Sequence, residues 1–140
     1  MNILLYLKVY AISLVGLVFI DFIWIKVIMG SFYDRSLGPL ARRVGESLSV
    51  RIVPSVLVWM LIALGILLFV LPKIESKGLV IEGFLWGALF GLVLYGVYDL
   101  TNYAFLDQWS LSMTVLDIIW GTILCGIMAL FMGVLVRWLS

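Results

Sequence analysis

The sequence predicts an all-α fold: a polytopic membrane protein built as a bundle of four transmembrane helices. Hydrophobic residues make up 65% of the 140-residue chain and charged residues only 12%. Soluble domains are about half apolar and about a quarter charged. The mean hydropathy is +1.25. So few charges cannot cover a water-facing surface, and lipid must therefore solvate most of the chain. We expect residues 1–140 to form a single membrane domain.

Four apolar stretches reach the roughly 20 residues that a helix needs to cross the hydrocarbon core. They cover residues 3–28, 52–71, 79–106 and 111–139. The first stretch is too long for the apolar core of a cleavable signal peptide, so we expect it to be the first span. Pro54 falls in the first turn of the second span, where a missing N–H is tolerated, and Pro72 marks its end. Only Asp107 to Ser110 separate the last two spans, which must therefore form a tight antiparallel hairpin.

The polar loop of residues 30–51 is the longest connection, and residues 39–48 are candidates for a short interfacial helix. The positive-inside rule favours a cytoplasmic loop and places both termini on the outer side. The charge difference behind this orientation is small. The inner side carries Lys26, Arg35, Arg42, Arg43 and Arg51 with the acids Asp34 and Glu46, and the outer side carries Lys8, Lys73, Lys77 and Arg137.

Three glycines lie four residues apart on one face of the third span: Gly83, Gly87 and Gly91. Small residues let helix backbones approach closely in lipid. We expect this stripe to be a helix contact face, and it would serve a homo-oligomer as well as packing within one chain.

Three carboxylates lie inside the spans: Asp21, Asp99 and Asp117. A charge within a span costs about 2.5–3.5 kcal/mol on insertion scales, so it marks a functional position by default. At a rise of 1.5 Å per residue, each lies about 9–11 Å from the end of its span. Because successive spans alternate in direction, all three fall in one layer on the side of the polar loop. Clustered carboxylates repel one another, and Arg51 is the expected internal counter-ion.

Polar and aromatic side chains surround this layer. Helical spacing puts Tyr95, Asp99 and Asn102 on one stripe, and Thr114 shares a face with Asp117. Asp21 and Trp24 repeat the spacing of Asp117 and Trp120, so each indole can cover a carboxylate and donate an N–H to it. We expect Trp24 and Trp120 to wall a pocket. The tryptophans near span ends, Trp86, Trp109 and Trp138, are expected in the interfacial belt.

Several classes of function are disfavoured. The net charge is +1 and the chain has no basic stripe, so we expect no nucleic-acid partner. There is no His, and the single Cys125 lies in an apolar stretch, so no metal site or nucleophile–base pair is expected. Three aspartates could supply oxygen ligands for Mg²⁺ or Ca²⁺, but no phosphate-binding loop accompanies them. Catalytic residues and cofactors cannot be named, and we lean against an enzyme.

The segment from Tyr98 to Asn102, followed by Trp109 and by the segment from Thr114 to Gly121, resembles the signature of a family of small bacterial four-span membrane proteins of unknown function. The resemblance implies a multi-pass protein of the bacterial inner membrane. It also implies one constellation of Asp21, Trp24, Asp99, Thr101, Asn102, Trp109, Asp117 and Trp120. Proteins of this kind are sometimes associated with lipid-modifying genes, so it suggests an accessory role in membrane lipid modification. The chain departs from the expected pattern at Trp109–Ser110, where Trp–Pro is usual.

Two interpretations of the acidic layer stand. The acids are either a structural polar network that fixes helix register, or a functional pocket for a polar head group, a cation or a proton. The leading hypothesis is a protein that binds membrane lipids or another amphipathic small molecule at an Asp/Asn/Trp pocket. The alternatives are a small proton- or cation-coupled transporter, an accessory subunit for lipid modification, and an enzyme that uses an Asp pair as acid and base.

Overall fold

The computed structural model describes residues 3–45, 47–74 and 79–140. Glu46 and Lys77, which entered the loop and orientation arguments, lie outside these residues, as does the rest of the connection at 75–78.

Five α-helices make up most of the described chain. They are α1 at Ile3–Phe22, α2 at Gly30–Leu37, α3 at Ile52–Gly65, α4 at Leu79–Phe105 and α5 at Leu111–Leu139. Wider π-helical turns prolong α1 through Ile23–Ile28 and α3 through Ile66–Val70, and a 3₁₀ turn at Leu71–Lys73 follows the latter. Pro72 lies inside this last turn, so the second span runs to Lys73 and does not end at Leu71.

Four of these helices are long and apolar enough to cross a membrane: α4, α5, and α1 and α3 together with their prolongations. The predicted all-α, four-helix membrane fold is confirmed. Large apolar side chains cover the outside of the bundle, among them Val15, Phe19 and Phe69. A soluble domain would bury such side chains, whereas lipid solvates them here.

α4 and α5 form the closest contact in the bundle. A Cβ atom at Gly87 would overlap the backbone oxygen of Cys125, and one at Gly91 would overlap the backbone oxygen of Gly121. A Cβ atom at Gly83 would lie 3.3 Å from the Leu130 Cα atom, a tight contact without overlap. The predicted contact face is therefore occupied by α5 of the same chain. A homo-oligomer through these glycines would have to compete with this packing within the chain, and it stays a prediction.

The apolar core lies between α1, α3 and α5. α1 packs against both α3 and α5, and the prolongation of α3 reaches α4 and α5. Val9, Leu17, Ile66, Leu124 and Met128 are fully buried there. This core occupies the half of the bundle near the chain termini. It leaves the other half, near the polar loop, for polar side chains.

The polar loop folds differently from the prediction. No α-helix lies in the described part of residues 39–48, which leaves out residue 46; the α-helical segment is α2, and a 3₁₀ turn at Gly38–Leu40 follows it. The strands β1 at Arg43–Val44 and β2 at Ser47–Leu48 then pair antiparallel. Gly38 at φ +46° and Gly45 at φ +62° adopt left-handed backbone conformations, which stop a helix and favour turns. An ion pair of 2.8 Å between Arg43 Nη1 and Asp34 Oδ1 ties β1 to α2.

The hairpin between α4 and α5 contains the departure from the expected Trp–Pro pair. Ser110 caps α5: its hydroxyl accepts a hydrogen bond from the Met113 backbone N–H at 3.2 Å. A side-chain oxygen at this position satisfies an N–H that the first helical turn leaves unpaired. Serine therefore starts the helix through a hydrogen bond, where proline would do so through its fixed backbone angle.

Candidate functional site

The two Asp–Trp pairs of α1 and α5 meet in the bundle. Because the two helices run in opposite directions, Trp120 lies at the level of Asp21, and Trp24 lies at the level of Asp117. The rings of Trp24 and Trp120 are stacked, with centroids 4.1 Å apart and planes 3° from parallel. The repeated spacing in the sequence thus corresponds to a reciprocal arrangement of two motifs around one indole stack.

Asp21 is 6% exposed and accepts two indole N–H groups. Trp59 Nε1 of α3 donates to Oδ2 at 2.7 Å, and Trp120 Nε1 of α5 donates to Oδ1 at 2.8 Å. Each oxygen of a carboxylate can accept two hydrogen bonds, so one acceptor position on each oxygen remains. Asp21 therefore joins three spans and keeps the capacity to accept hydrogen bonds from a further group.

Asp117 is held from the loop side. The Tyr33 hydroxyl of α2 donates a hydrogen bond to Asp117 Oδ1 and accepts one from Trp24 Nε1 at 3.3 Å. Burial, together with the bond to the Asp117 carboxylate, raises the pKa of Tyr33 above its usual value. The hydroxyl therefore keeps its proton at neutral pH and donates it to the acid. Trp24 is linked to Asp117 through the Tyr33 hydroxyl, whereas Trp120 donates directly to Asp21, so the two Asp–Trp pairs differ in their hydrogen bonds.

Asp99 has a different environment from the other two acids. It is fully buried, and neither oxygen has a hydrogen-bond partner among the described residues. It lies one turn beyond Tyr95, whose ring covers Gly121 of α5. Trp109 is also buried, its indole N–H has no partner in the described part of the chain, and its ring meets Tyr98 edge-on at 6.0 Å.

A cavity of about 910 Å³ opens between α3, at the level of Val58 to Ile62, and α4, at the level of Phe90 to Tyr98. Val58, Leu61, Ile62, Phe90 and Leu94 form its apolar walls. The polar end is lined by Asp21 of α1, Tyr33 of α2, Tyr95 of α4, and Asp117 and Trp120 of α5. The exposed side chains of Lys26 and Arg42 mark the mouth, together with apolar loop residues. The cavity thus combines a polar end inside the span, apolar walls and a basic mouth.

The structure brings together only part of the predicted site. Asp21, Tyr95, Asp117 and Trp120 line the cavity, and Trp24 stacks behind Trp120. The others lie elsewhere: Asp99 and Thr114 are buried outside it, Asn102 is half-buried, and Thr101 is exposed at the bundle surface. The Thr114 hydroxyl donates to the Ser110 carbonyl oxygen of its own helix at 3.1 Å.

Two predictions about side chains near the acids are wrong. Arg51 is exposed at the start of α3, and within the described ranges it forms no ion pair with an acid. It lies in the turn that leads into the span, so its side chain points out of the bundle. Trp109 is not a belt residue, because the tight hairpin folds it against Tyr33 and Met113. Trp86 and Trp138, by contrast, are exposed at the bundle surface.

Sequence reasoning missed four residues of the site. Trp59 has a sequence signal, because it lies seven residues into its span, at a depth like that of Asp21. Tyr33 and Arg42 have no such signal, because their place depends on how the polar loop folds back over the bundle, whereas Lys26 lies in the π-helical prolongation of α1. In the described residues no group of three or more Cys, Asp or Glu side chains could hold a metal ion. The site offers hydrogen-bond acceptors, indole faces and two basic side chains.

The comparisons with known proteins identify a family without an established activity. No curated protein and no solved structure matches the chain. The model of one family, described as a predicted membrane protein family, DUF2177, matches residues 6–134. Because this match covers most of the sequence, including α1, α3, α4 and the site, the chain belongs to the membrane protein family DUF2177.

Proposed function

We propose that this multi-pass membrane protein binds one amphipathic small molecule in the cavity between α3 and α4. The observation that carries the proposal is the composition of that cavity, which is apolar along α3 and α4 and polar at Asp21, Tyr33 and Asp117. Its volume of about 910 Å³ falls within the range of about 300–1,000 Å³ that is typical of small-molecule sites.

The polar end suits a ligand group that donates hydrogen bonds, such as a hydroxyl or an amine. Asp21 uses two of its acceptor positions on Trp59 and Trp120, and Asp117 uses one on Tyr33. When ionised, the two carboxylates offer only acceptors at their remaining positions, because they have no hydrogen to donate. The three protein donors hold the two acids in place before a ligand arrives, which lowers the entropic cost of binding.

The apolar walls suit a hydrocarbon chain. Leu61 is 66% exposed and Leu94 is 39% exposed, and they line the cavity from α3 and α4. A chain between them would have lipid on one side and helix on the other. The ligand would therefore enter sideways from the membrane, with its polar end directed to α1 and α5.

A carrier of protons or cations is the second candidate, because three carboxylates lie in the spans and Asp99 has no hydrogen-bond partner among the described residues. A route across the membrane would have to continue toward the termini. There the α4–α5 interface is closed by the contacts of Gly87 with Cys125 and Gly91 with Gly121, and Leu17 and Met128 fill the core. This close packing favours a binding protein.

The test is to fill the cavity. Leu94→Trp places a large ring in it, and the control is Leu92→Trp, a residue on the same helix that is exposed outside the cavity. Each protein is purified with extensive detergent washing, and bound amphipaths are extracted and quantified by mass spectrometry. We expect about one molecule per chain in the wild type and in Leu92→Trp, and its loss in Leu94→Trp. Equal amounts in all three proteins would refute the proposal.

A further inference from the structure

Two basic side chains at the mouth of the cavity have no ion-pair partner among the described residues. Lys26 and Arg42 both line the mouth, and neither forms an ion pair within the described ranges. The neighbouring Arg43 differs, because it is paired with Asp34 and donates to the backbone oxygens of Asp34 and Gly38. Arg43 in β1 therefore holds the polar loop together, and Arg42, which precedes it, lies at the cavity.

The two basic residues come from separate elements. Lys26 lies in the π-helical turn that prolongs α1, and Arg42 lies between the 3₁₀ turn and β1. Lys26 is five residues beyond Asp21, which is about 7 Å along the helix axis. The positive charges therefore lie nearer the membrane surface than the acids. This is the level at which lipid phosphates lie, just outside the hydrocarbon core.

We infer that the ligand is an anionic, single-chain phospholipid whose phosphate is bound by Lys26 and Arg42 while its head-group hydroxyl donates to the acids. This inference rests on the proposed function and adds the charge of the ligand to it. Arginine binds phosphate through two parallel N–H donors, and lysine binds it as a point charge. The anion offsets the two basic side chains at the mouth, and the hydroxyl uses an acceptor position on Asp117 or Asp21.

One chain fits the cavity better than two. The volume of about 910 Å³ lies at the upper end of the range for sites that hold a single drug-sized ligand. The polar end already occupies part of this space, with Tyr33, Tyr95 and Trp120 around it. The rest is one slot between the apolar walls of α3 and α4, which accepts one hydrocarbon chain lengthwise.

The inference is tested with two probes that share an acyl chain. Oleoyl lysophosphatidic acid carries the phosphate, and monoolein lacks it. Binding of each is measured in neutral detergent micelles at low ionic strength by tryptophan fluorescence, since Trp24, Trp59 and Trp120 surround the polar end. We expect the phosphate-bearing probe to bind about tenfold more tightly to the wild type, and this preference to weaken as salt is added.

Substitutions of Lys26 and Arg42 test whether these two residues cause the preference for the phosphate-bearing probe. Lys26→Gln and Arg42→Gln should each remove most of the preference for lysophosphatidic acid and leave monoolein binding unchanged, whereas Arg42→Lys should keep part of it. Arg35→Gln is the control, because Arg35 is exposed on α2 and does not line the cavity. An unchanged preference in both Gln variants would overturn the inference.

Further outcomes separate this inference from the proposed function. If both probes bind equally and Leu94→Trp abolishes both, the cavity binds an amphipath and the phosphate site is wrong. If neither probe binds, both proposals fail. Glycerol phosphate is the third probe: binding as tight as that of the lipid would show a site for a free anion and overturn the lipid assignment.

Discussion

Among the described residues, the Tyr33 hydroxyl is the one group of the polar loop that donates a hydrogen bond to an acid in the spans, Asp117. Tyr33→Phe removes only this oxygen and keeps the ring. The change breaks the bond to Asp117 and leaves the Trp24 N–H without its acceptor. Tyr33 is 8% exposed, so water cannot readily replace either bond.

The expected loss follows from the two bonds. A hydrogen bond to a charged group contributes about 1.5–3 kcal/mol, and a neutral one about 0.5–1.5 kcal/mol. Measured hydrogen bonds between membrane-spanning helices are weaker, with an average of about 0.6 and a maximum of about 1.7 kcal/mol. Because α2 lies outside the spans while its partners lie inside them, we expect Tyr33→Phe to lower the free energy of unfolding by about 2 kcal/mol.

The assay is unfolding in mixed micelles by a denaturing detergent, followed by far-ultraviolet circular dichroism. A double-mutant cycle with Asp117→Leu isolates the bond, and we expect a coupling energy of about 1–2 kcal/mol. Tyr103→Phe is the matched control, because Tyr103 is exposed and has no hydrogen bond among the described residues; it should change stability by less than about 0.5 kcal/mol.

A Tyr33→Phe protein as stable as the Tyr103→Phe control, or a coupling energy near zero, would refute this reasoning. Either result would mean that α2 does not hold Asp117, and the loop side of the cavity would then be open.

Two further predictions use the same assay. Gly87→Ala should lower the free energy of unfolding by about 1–3 kcal/mol, because the new Cβ meets the α5 backbone. Gly96→Ala on the same helix is the control: its Cβ enters open space, so stability should stay unchanged or rise by up to about 1 kcal/mol. Equal effects of the two substitutions would contradict the contact between α4 and α5. Tyr33 keeps its proton in the folded state above the pH of about 10 at which an unfolded tyrosine ionises, because its pKa is raised by burial and by Asp117. The unfolded state therefore releases a proton that the folded state retains, and the wild type should lose stability above pH 10 by up to about 1.4 kcal/mol per pH unit more than Tyr33→Phe; parallel curves would exclude the effect.

The spans were predictable because their length and hydropathy have a single physical cause, the thickness of the hydrocarbon core. The meeting of Asp21, Asp117 and Trp120 was also accessible, since depth and helical face follow from spacing. The hydrogen-bond partners of each acid were not predictable from the sequence. Spacing suggested that a tryptophan covers the Asp of its own helix, whereas Trp120 donates to Asp21 across the bundle.

The connections between spans explain the remaining differences between the predicted and the observed site. Tyr33 reaches the cavity from α2, which follows the prolongation of α1, and Arg42 reaches it after the turn at Gly38. A hydropathy pattern says nothing about that path. Trp109 was assigned to the interface from its position near the end of a span. The turn from Asp107 to Ser110 is short enough to fold it inward against Met113. Positions near span ends are thus the ones for which sequence position predicts burial least well.

The bonds of Asp21 also bear on how the chain enters the membrane during synthesis. Its donors follow it by 38 residues at Trp59 and by 99 residues at Trp120. While spans are inserted in order, the first therefore carries a carboxylate whose second indole arrives only with the fourth. An Asp at the centre of a span costs about 2.5–3.5 kcal/mol, and this is an upper bound for Asp21, which lies nearer the end of its span. A truncated product that ends before Trp120 keeps an incompletely satisfied acid in lipid, which gives quality-control proteases a physical basis for distinguishing it from the complete chain.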